Sequence, residues 1–181
     1  YTPQQITVNC GAKHSCYNAV LAVCDPGDEV IIPAPYWTSY PEMVRLAGGE
    51  PVIVETRQKN GWKLSAEEFE EAMTPRTKML ILNSPGNPTG SLYTKAELEK
   101  IAEIAAAEDI IILSDEIYEK LIYNDHEHVS IASLPGMRER TLRIGSAGKT
   151  FSLTGWKVGY VTAAPKLLEP VSKAHQFTTF T

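Results

Sequence analysis

The chain has 181 residues, enough for one domain with a substantial buried core. Hydrophobic residues make up 43% and charged residues 22%, the balance of a globular protein rather than a disordered one. A net charge of -5 gives no electrostatic reason to expect nucleic acid or an anionic membrane as partner, and no apolar run approaches the roughly 18 residues of a membrane span.

Residues 5–9 read as a short strand, and Gly11-Ala12-Lys13-His14 leads into helical periodicity over 15–23, with Tyr17, Val20, Leu21 and Val23. Asp25-Pro26-Gly27-Asp28 is a turn by residue type. A β-branched run over 29–33 predicts a strand buried on both faces. A helix over 39–47 stops at Gly48-Gly49, and a strand follows over 51–55. Ser65 with Glu68, and Thr94 with Glu97, form capping boxes that open helices reaching about Met73 and Glu108. Strands are expected over 78–82, 109–113, 140–144 and 157–162, and a last helix over 164–175. Cys10, Cys16 and Cys24 have neither metal nor redox spacing and are read as reduced structural thiols of a cytoplasmic chain. His126-Glu127-His128 lies in a polar stretch and reads as a solvated loop rather than a metal site. The chain opens at Tyr1-Thr2-Pro3 without a signal peptide, and both ends look like the edges of an excised piece.

Strands and helices alternate, and the strands are continuously apolar. That predicts an α/β fold: a mostly parallel sheet in a three-layer α/β/α arrangement. In such sheets ligands bind at the carboxyl ends of the strands. The residues at those ends are Gly11-Ala12-Lys13, then Pro35-Tyr36-Trp37, Asn83 to Asn87, Asp115 with Tyr118, and Ser146 with Lys149.

Gly148-Lys149-Thr150 has the tail of a phosphate-binding P-loop. Its first glycine would have to stand at 143, which is Arg143, and Gly145 comes two residues too late. No G-x-G-x-x-G follows a strand, so a dinucleotide site lacks support as well.

Three longer stretches carry more. NSPGNPTG (83–90), SDEIYEKLIY (114–123) and SAGKTFSLTGWKVGY (146–160) resemble the cofactor motifs of class I/II aminotransferases, fold-type-I enzymes that depend on pyridoxal 5'-phosphate. PAPYWTSYPEM (33–43) is similar to the aspartate and prephenate aminotransferase branch, and SAGKTFSLTGWKVGY to the kynurenine and glutamine transaminase branch. The resemblance covers essentially the whole chain.

The resemblance implies a role for each matching residue. Lys149 matches the lysine that forms a Schiff base with the cofactor and then moves the substrate proton. Asp115 matches the acid that pairs with the pyridine nitrogen and keeps the ring an electron sink. Tyr118, expected three residues on along one helical face, and Asn87 match the donors to the ring hydroxyl. Ser146 and Lys157 match phosphate ligands, though much of the family has arginine in place of Lys157 and lysine lacks its bidentate fork. Ala12 and Lys13 match backbone phosphate donors at a helix start. Trp37 matches the aromatic that stacks on the ring. Trp62 and Trp156 are expected to serve packing.

Residues 1–181 would then be the cofactor-binding large domain, with the N-terminal arm and the small domain absent. No arginine here can be assigned to binding the substrate carboxylate, so the chain alone is expected to bind the cofactor and turn over weakly or not at all. The substrates implied are an amino acid and a 2-oxo acid, and the implied assembly is a homodimer. Two other readings stay open: a fold-type-I lyase or synthase, and a non-catalytic module such as a regulator's effector domain or an engineered fragment.

Overall fold

Val30, Ile31 and Ile32 are apolar in succession, as are Met79, Leu80, Ile81 and Leu82, so their strands need cover on both faces. The computed structural model, which describes residues 1–180, provides it. In chain order the elements are β1 (Ile6–Cys10), α1 (Ala12–Val23), β2 (Glu29–Ala34), α2 (Ser39–Leu46), β3 (Glu50–Glu55), α3 (Ala66–Ala72), β4 (Thr77–Asn83), α4 (Lys95–Ala107), β5 (Ile111–Asp115), β6 (Thr141–Ser146), α5 (Ala147–Thr150), β7 (Val158–Thr162) and α6 (Pro165–Thr178). The strands form one seven-stranded sheet in the order β1-β7-β6-β5-β4-β2-β3. Only β7 runs against its neighbours; the pairs among β2 to β6 are parallel.

The strand period of two sorts the core into layers. Met79, Ile81 and Leu113 pack with Cys16, Val20, Tyr40, Val44 and Leu168, contributed by α1, α2 and α6. Leu80, Leu82 and Ile112 pack on the other face with Phe69, Leu98 and Ile101 from α3 and α4. The three-layer expectation matches this arrangement.

Both capping boxes form. Ser65 Oγ accepts from Glu68 N at 3.1 Å while Ser65 N donates to Glu68 Oε2 at 3.0 Å. Thr94 and Glu97 repeat the exchange at 3.3 and 2.7 Å. Several boundaries moved, and two of them have a clear local cause. Helix α1 starts at Ala12 rather than at residue 15, directly after Gly11 at φ 85. Strand β5 starts at Ile111 rather than 109, because Asp109 adopts φ 54 and Ile110 N donates back to Ala105 O at 2.9 Å. Those two residues end α4 in a Schellman motif, with aspartate in the left-handed position that glycine more often takes. No helix is long and apolar enough to cross a membrane, among the described residues.

Candidate active site

Because β6 and β7 are antiparallel, the amino end of β7 returns to the edge where β1, β4, β5 and β6 end. A cavity of about 590 Å³ opens there. Ala12, Lys13, Trp37, Asn87, Asp115, Tyr118, Ser146, Lys149 and Lys157 all line it. Residues more than a hundred positions apart in sequence thus meet at one sheet edge.

One part of the wall is built to receive an anion. The amides of the first turn of α1 have no intrahelical acceptors, and the helix dipole adds positive potential there. Lys157 stands beside it, in left-handed conformation at φ 55 just before β7. The Lys13 ammonium lies 5.0 Å from the Trp37 ring centroid. Ser146 caps α5: its Oγ accepts from Gly148 N at 3.0 Å and donates to Val158 O at 3.1 Å. Its proton reaches an anion only when the bond to Val158 is exchanged.

The wall near Asp115 has the opposite character. Asp115 is buried at the last position of β5. Burial raises its carboxyl above the ordinary aspartate range, and hydrogen bonds from Tyr40, Ile117 N and Cys16 oppose that rise. Asn83 ties the neighbouring strand end into place: its Nδ2 donates to Asp115 O at 2.9 Å and its Oδ1 accepts from Asn87 N at 2.7 Å. Asn87 is thereby fixed on the turn after β4. Tyr118 does not sit on a helix as expected. Residues 116–120 form turns, with Glu119 N bonded to Glu116 O and Leu121 N to Tyr118 O. The phenol still reaches the cavity, its ring centroid 6.0 Å from Lys149 Nζ. Burial and the Asp115 charge raise its hydroxyl above the usual tyrosine range.

Lys149 is exposed on α5, a single helical turn, with its amine open to the cavity. An amine, a buried acid and a cationic, amide-rich wall in one cleft suit a cofactor that carries a carbonyl, a basic ring atom and a phosphate.

Sequence reasoning passed over Tyr40 and Cys16, and put Asn83 at a strand end without giving it a role. Tyr40, in the first turn of α2, and Cys16, inside α1, look like ordinary core residues. The only available signal for Asn83 was a polar residue ending an apolar strand. Two further expectations are corrected. Trp156 and Trp62 do not pack inside: they are 75% and 41% exposed, on short turns that face outward. His128 is not a solvated loop residue, since its side chain is 11% exposed and its Nε2 lies 3.1 Å from Glu116 Oε2. Glu116, Glu119 and His128 bring their ligand atoms within 4.8 Å of one another, but the Arg143 guanidinium lies among them and donates to both carboxylates. No disulfide joins the cysteines among the described residues; Cys16 and Cys24 are buried and Cys10 is exposed.

The sequence model described as "Aminotransferase class I and II" matches residues 1–181. The chain is 50% identical over 167 residues to an aspartate aminotransferase of Geobacillus stearothermophilus, covering 92% of this chain and 42% of that protein. It is 44% identical to kynurenine–oxoglutarate transaminase 1 of Mus musculus, covering 98% and 44%. Among solved structures, the aspartate aminotransferase of Thermus thermophilus superposes with a TM-score of 0.93 at 44% identity, covering 99% of this chain and 46% of that one. The chain thus spans less than half the length of these relatives.

Proposed function

The chain belongs to the class I and II aminotransferase family, and on that premise we propose that residues 1–181 are the large, cofactor-binding domain of a pyridoxal 5'-phosphate-dependent aminotransferase. The reaction proposed passes an amino group from an amino acid to a 2-oxo acid. One observation carries this reading: every candidate residue lines the same cavity at the carboxyl edge of the sheet.

The residues present fit the group. Asp115 is a buried acceptor suited to a protonated ring nitrogen, and the Ala12 and Lys13 amides, Ser146 and Lys157 suit a phosphate. Trp37 offers a face for the ring, and Asn87 and Tyr118 offer donors for its hydroxyl. Bound there, pyridoxal phosphate supplies an aldehyde that takes up an amino group and a ring that withdraws electrons. Lys149 would hold the cofactor covalently, and its Nζ, when free, would take the proton from the amino acid's Cα and give it back on the other side of the transfer. The Tyr118 phenol beside Lys149 keeps its proton at neutral pH, so it serves there as a donor.

We take the working form to be a homodimer. Phe151 and Trp156 stand 68% and 75% exposed on the segment that carries Lys149 and Lys157, apolar area that association would cover. The carboxylate-binding arginine is assigned outside these residues, so the chain by itself is proposed to bind cofactor and turn over poorly.

Adding pyridoxal phosphate to the protein should produce the visible absorbance of a lysine-bound cofactor, fixed to Lys149 by borohydride and absent in Lys149→Ala. No spectral change in the unaltered protein refutes the reading. Bleaching of that band by an amino acid, read with and without the remainder of the full-length protein, measures how much turnover this domain retains.

A further inference from the structure

We propose that Tyr40 is a positioning residue for Asp115: its hydroxyl, supported by the Cys16 thiol, keeps the carboxylate ionised and leaves one acceptor position, on Oδ1, for the cofactor's ring nitrogen. The inference rests on the reading of this cavity as a pyridoxal phosphate site.

A carboxylate has two lone pairs on each oxygen. Oδ2 of Asp115 accepts from Tyr40 OH at 2.7 Å and from Cys16 Sγ at 3.8 Å. Oδ1 accepts from Ile117 N at 3.3 Å. Three positions are filled and one remains, which is the number a ring N–H needs. The donors come from α2, α1 and the turn after β5, so the carboxylate is fixed in orientation by three separate elements. Asp115 and Tyr40 are each 2% exposed and Cys16 is fully buried, so water does not substitute for any of them. The Tyr40 ring also meets the Trp37 ring edge-on, with centroids 5.3 Å apart. One side chain thereby braces both the acid and the aromatic proposed to hold the ring.

The surrounding charges make the donors matter. From α1, Cys16 faces Asp115, and Lys13 and His14 line the cavity; from α2 comes Tyr40; Glu116 and Tyr118 follow on its own strand and turn; Lys149 and Lys157 complete the wall. Burial pushes the Asp115 carboxyl up, and Glu116 pushes in the same direction. Tyr40, the Ile117 amide and Cys16 are what oppose them. Burial and the Asp115 charge in turn push the Tyr40 hydroxyl and the Cys16 thiol well above their ordinary ranges, so both keep their protons and remain donors. Protonated Asp115 would not pair with a protonated ring, so losing the Tyr40 hydroxyl should weaken cofactor binding first on the acid side.

The test is cofactor affinity as a function of pH, by fluorescence quenching, for the unaltered protein, Tyr40→Phe, Asp115→Asn and the double variant. Subtracting the Asp115→Asn profile removes the pH dependence that all four proteins share, that of the phosphate and His14 included. The remaining acid-side fall should start about one pH unit higher in Tyr40→Phe, a roughly tenfold change in the proton equilibrium, as expected for one hydrogen bond to a charged group. In the Asp115→Asn background, Tyr40→Phe should change nothing further. Equal losses in both backgrounds with an unmoved acid limb would make Tyr40 a packing residue and overturn the proposal. If Tyr40→Phe fails to fold by circular dichroism, Cys16→Ala takes its place, with a smaller shift of the same sign expected and an unmoved limb again overturning it. Failure of the unaltered protein to bind cofactor instead refutes the reading of the site, a result distinct from binding that ignores Tyr40.

Discussion

Gly159 offers the sharpest mechanical test of the phosphate wall. It is buried in β7, paired with Asn9 of β1 on one side and Ser146 of β6 on the other. A Cβ there would lie 2.4 Å from Ala12 N, 2.4 Å from Gly11 C and 2.8 Å from Gly11 O, where ordinary contact begins near 3.4 Å. Gly159→Ala therefore requires a displacement of about 1 Å. Strand β7 is held on both flanks, so the start of α1 must give way. Overpacking of this kind costs about 1–3 kcal/mol, and in a domain of this size each kcal/mol lowers Tm by about 2–4 °C. The displaced Ala12 amide would also lose the charge-assisted bond to phosphate proposed for it, worth about 1.5–3 kcal/mol or roughly 10–100-fold in Kd. Thermal melting of the cofactor-free protein and fluorescence titration with pyridoxal phosphate read the two effects separately. Gly155→Ala is the control, since a Cβ there meets nothing within 4 Å. A Gly159→Ala variant that melts like the parent and binds within a factor of two of it would refute the close-approach argument. A lowered Tm with unchanged affinity would remove Ala12 from the phosphate site.

Two further outcomes follow from the same geometry. Burial alone would raise the Glu116 carboxyl, but hydrogen bonds from His128 and Ser130 and the Arg143 charge overcome it and hold the group below the ordinary glutamate range. A depressed folded value means stability that is present above the unfolded value of about 4.3 and is lost as pH falls through the folded one. Glu116→Gln should cost about 3 kcal/mol at neutral pH by urea denaturation, the gap to the parent closing on acidification below that range; a gap that persists there would show the carboxylate charge to be irrelevant. Lys157 occupies φ 55, ψ 47, a conformation that costs a side-chain-bearing residue about 1 kcal/mol. Lys157→Gly should raise the Tm of the cofactor-free protein by about 2–4 °C and weaken cofactor binding roughly tenfold, so affinity and stability move in opposite directions; a lowered Tm would show that the lysine's own contacts outweigh the strain.

The elements were legible because local signals agreed with the global fold. The capping boxes at Ser65 and Thr94 mark helix starts to the residue, since each is a closed exchange of hydrogen bonds within four positions. The apolar runs over β2 and β4 announce burial on both faces, and so a covered parallel sheet. The reversal of β7 was not legible, because nothing in Val158–Thr162 states which neighbour it joins or in which direction. Tyr40 could not be singled out for a related reason. Its partner Asp115 lies 75 positions away, and only the packing of α2 on the sheet brings the two together.

The misplaced start of β5 does not disturb the placing of Asp115 at the cavity, which rests on where the strand ends. The sequence reading set that strand two residues early, missing that Asp109 and Ile110 are used to end α4. Strand side chains alternate, so it is a one-residue slip of the pairing, not the choice of starting residue, that exchanges the faces. The alternation carries real consequences here. Leu113 and Asp115 turn toward Cys16 and Tyr40, while Ser114 and Glu116 turn away, Ser114 Oγ donating to Glu116 Oε1 at 2.9 Å. A slip of one residue toward the amino end would aim Glu116 into the cavity and put Asp115 in the place of Ser114, on the opposite face. The αL aspartate that stops α4 thus fixes more than a helix end. Counting forward from it, the chain has just enough residues to deliver the shorter acid to the cavity and the longer one to the Arg143 network, and inserting a single residue between Asp109 and Ile111 should put Ser114 where Asp115 stands and Asp115 where Glu116 stands.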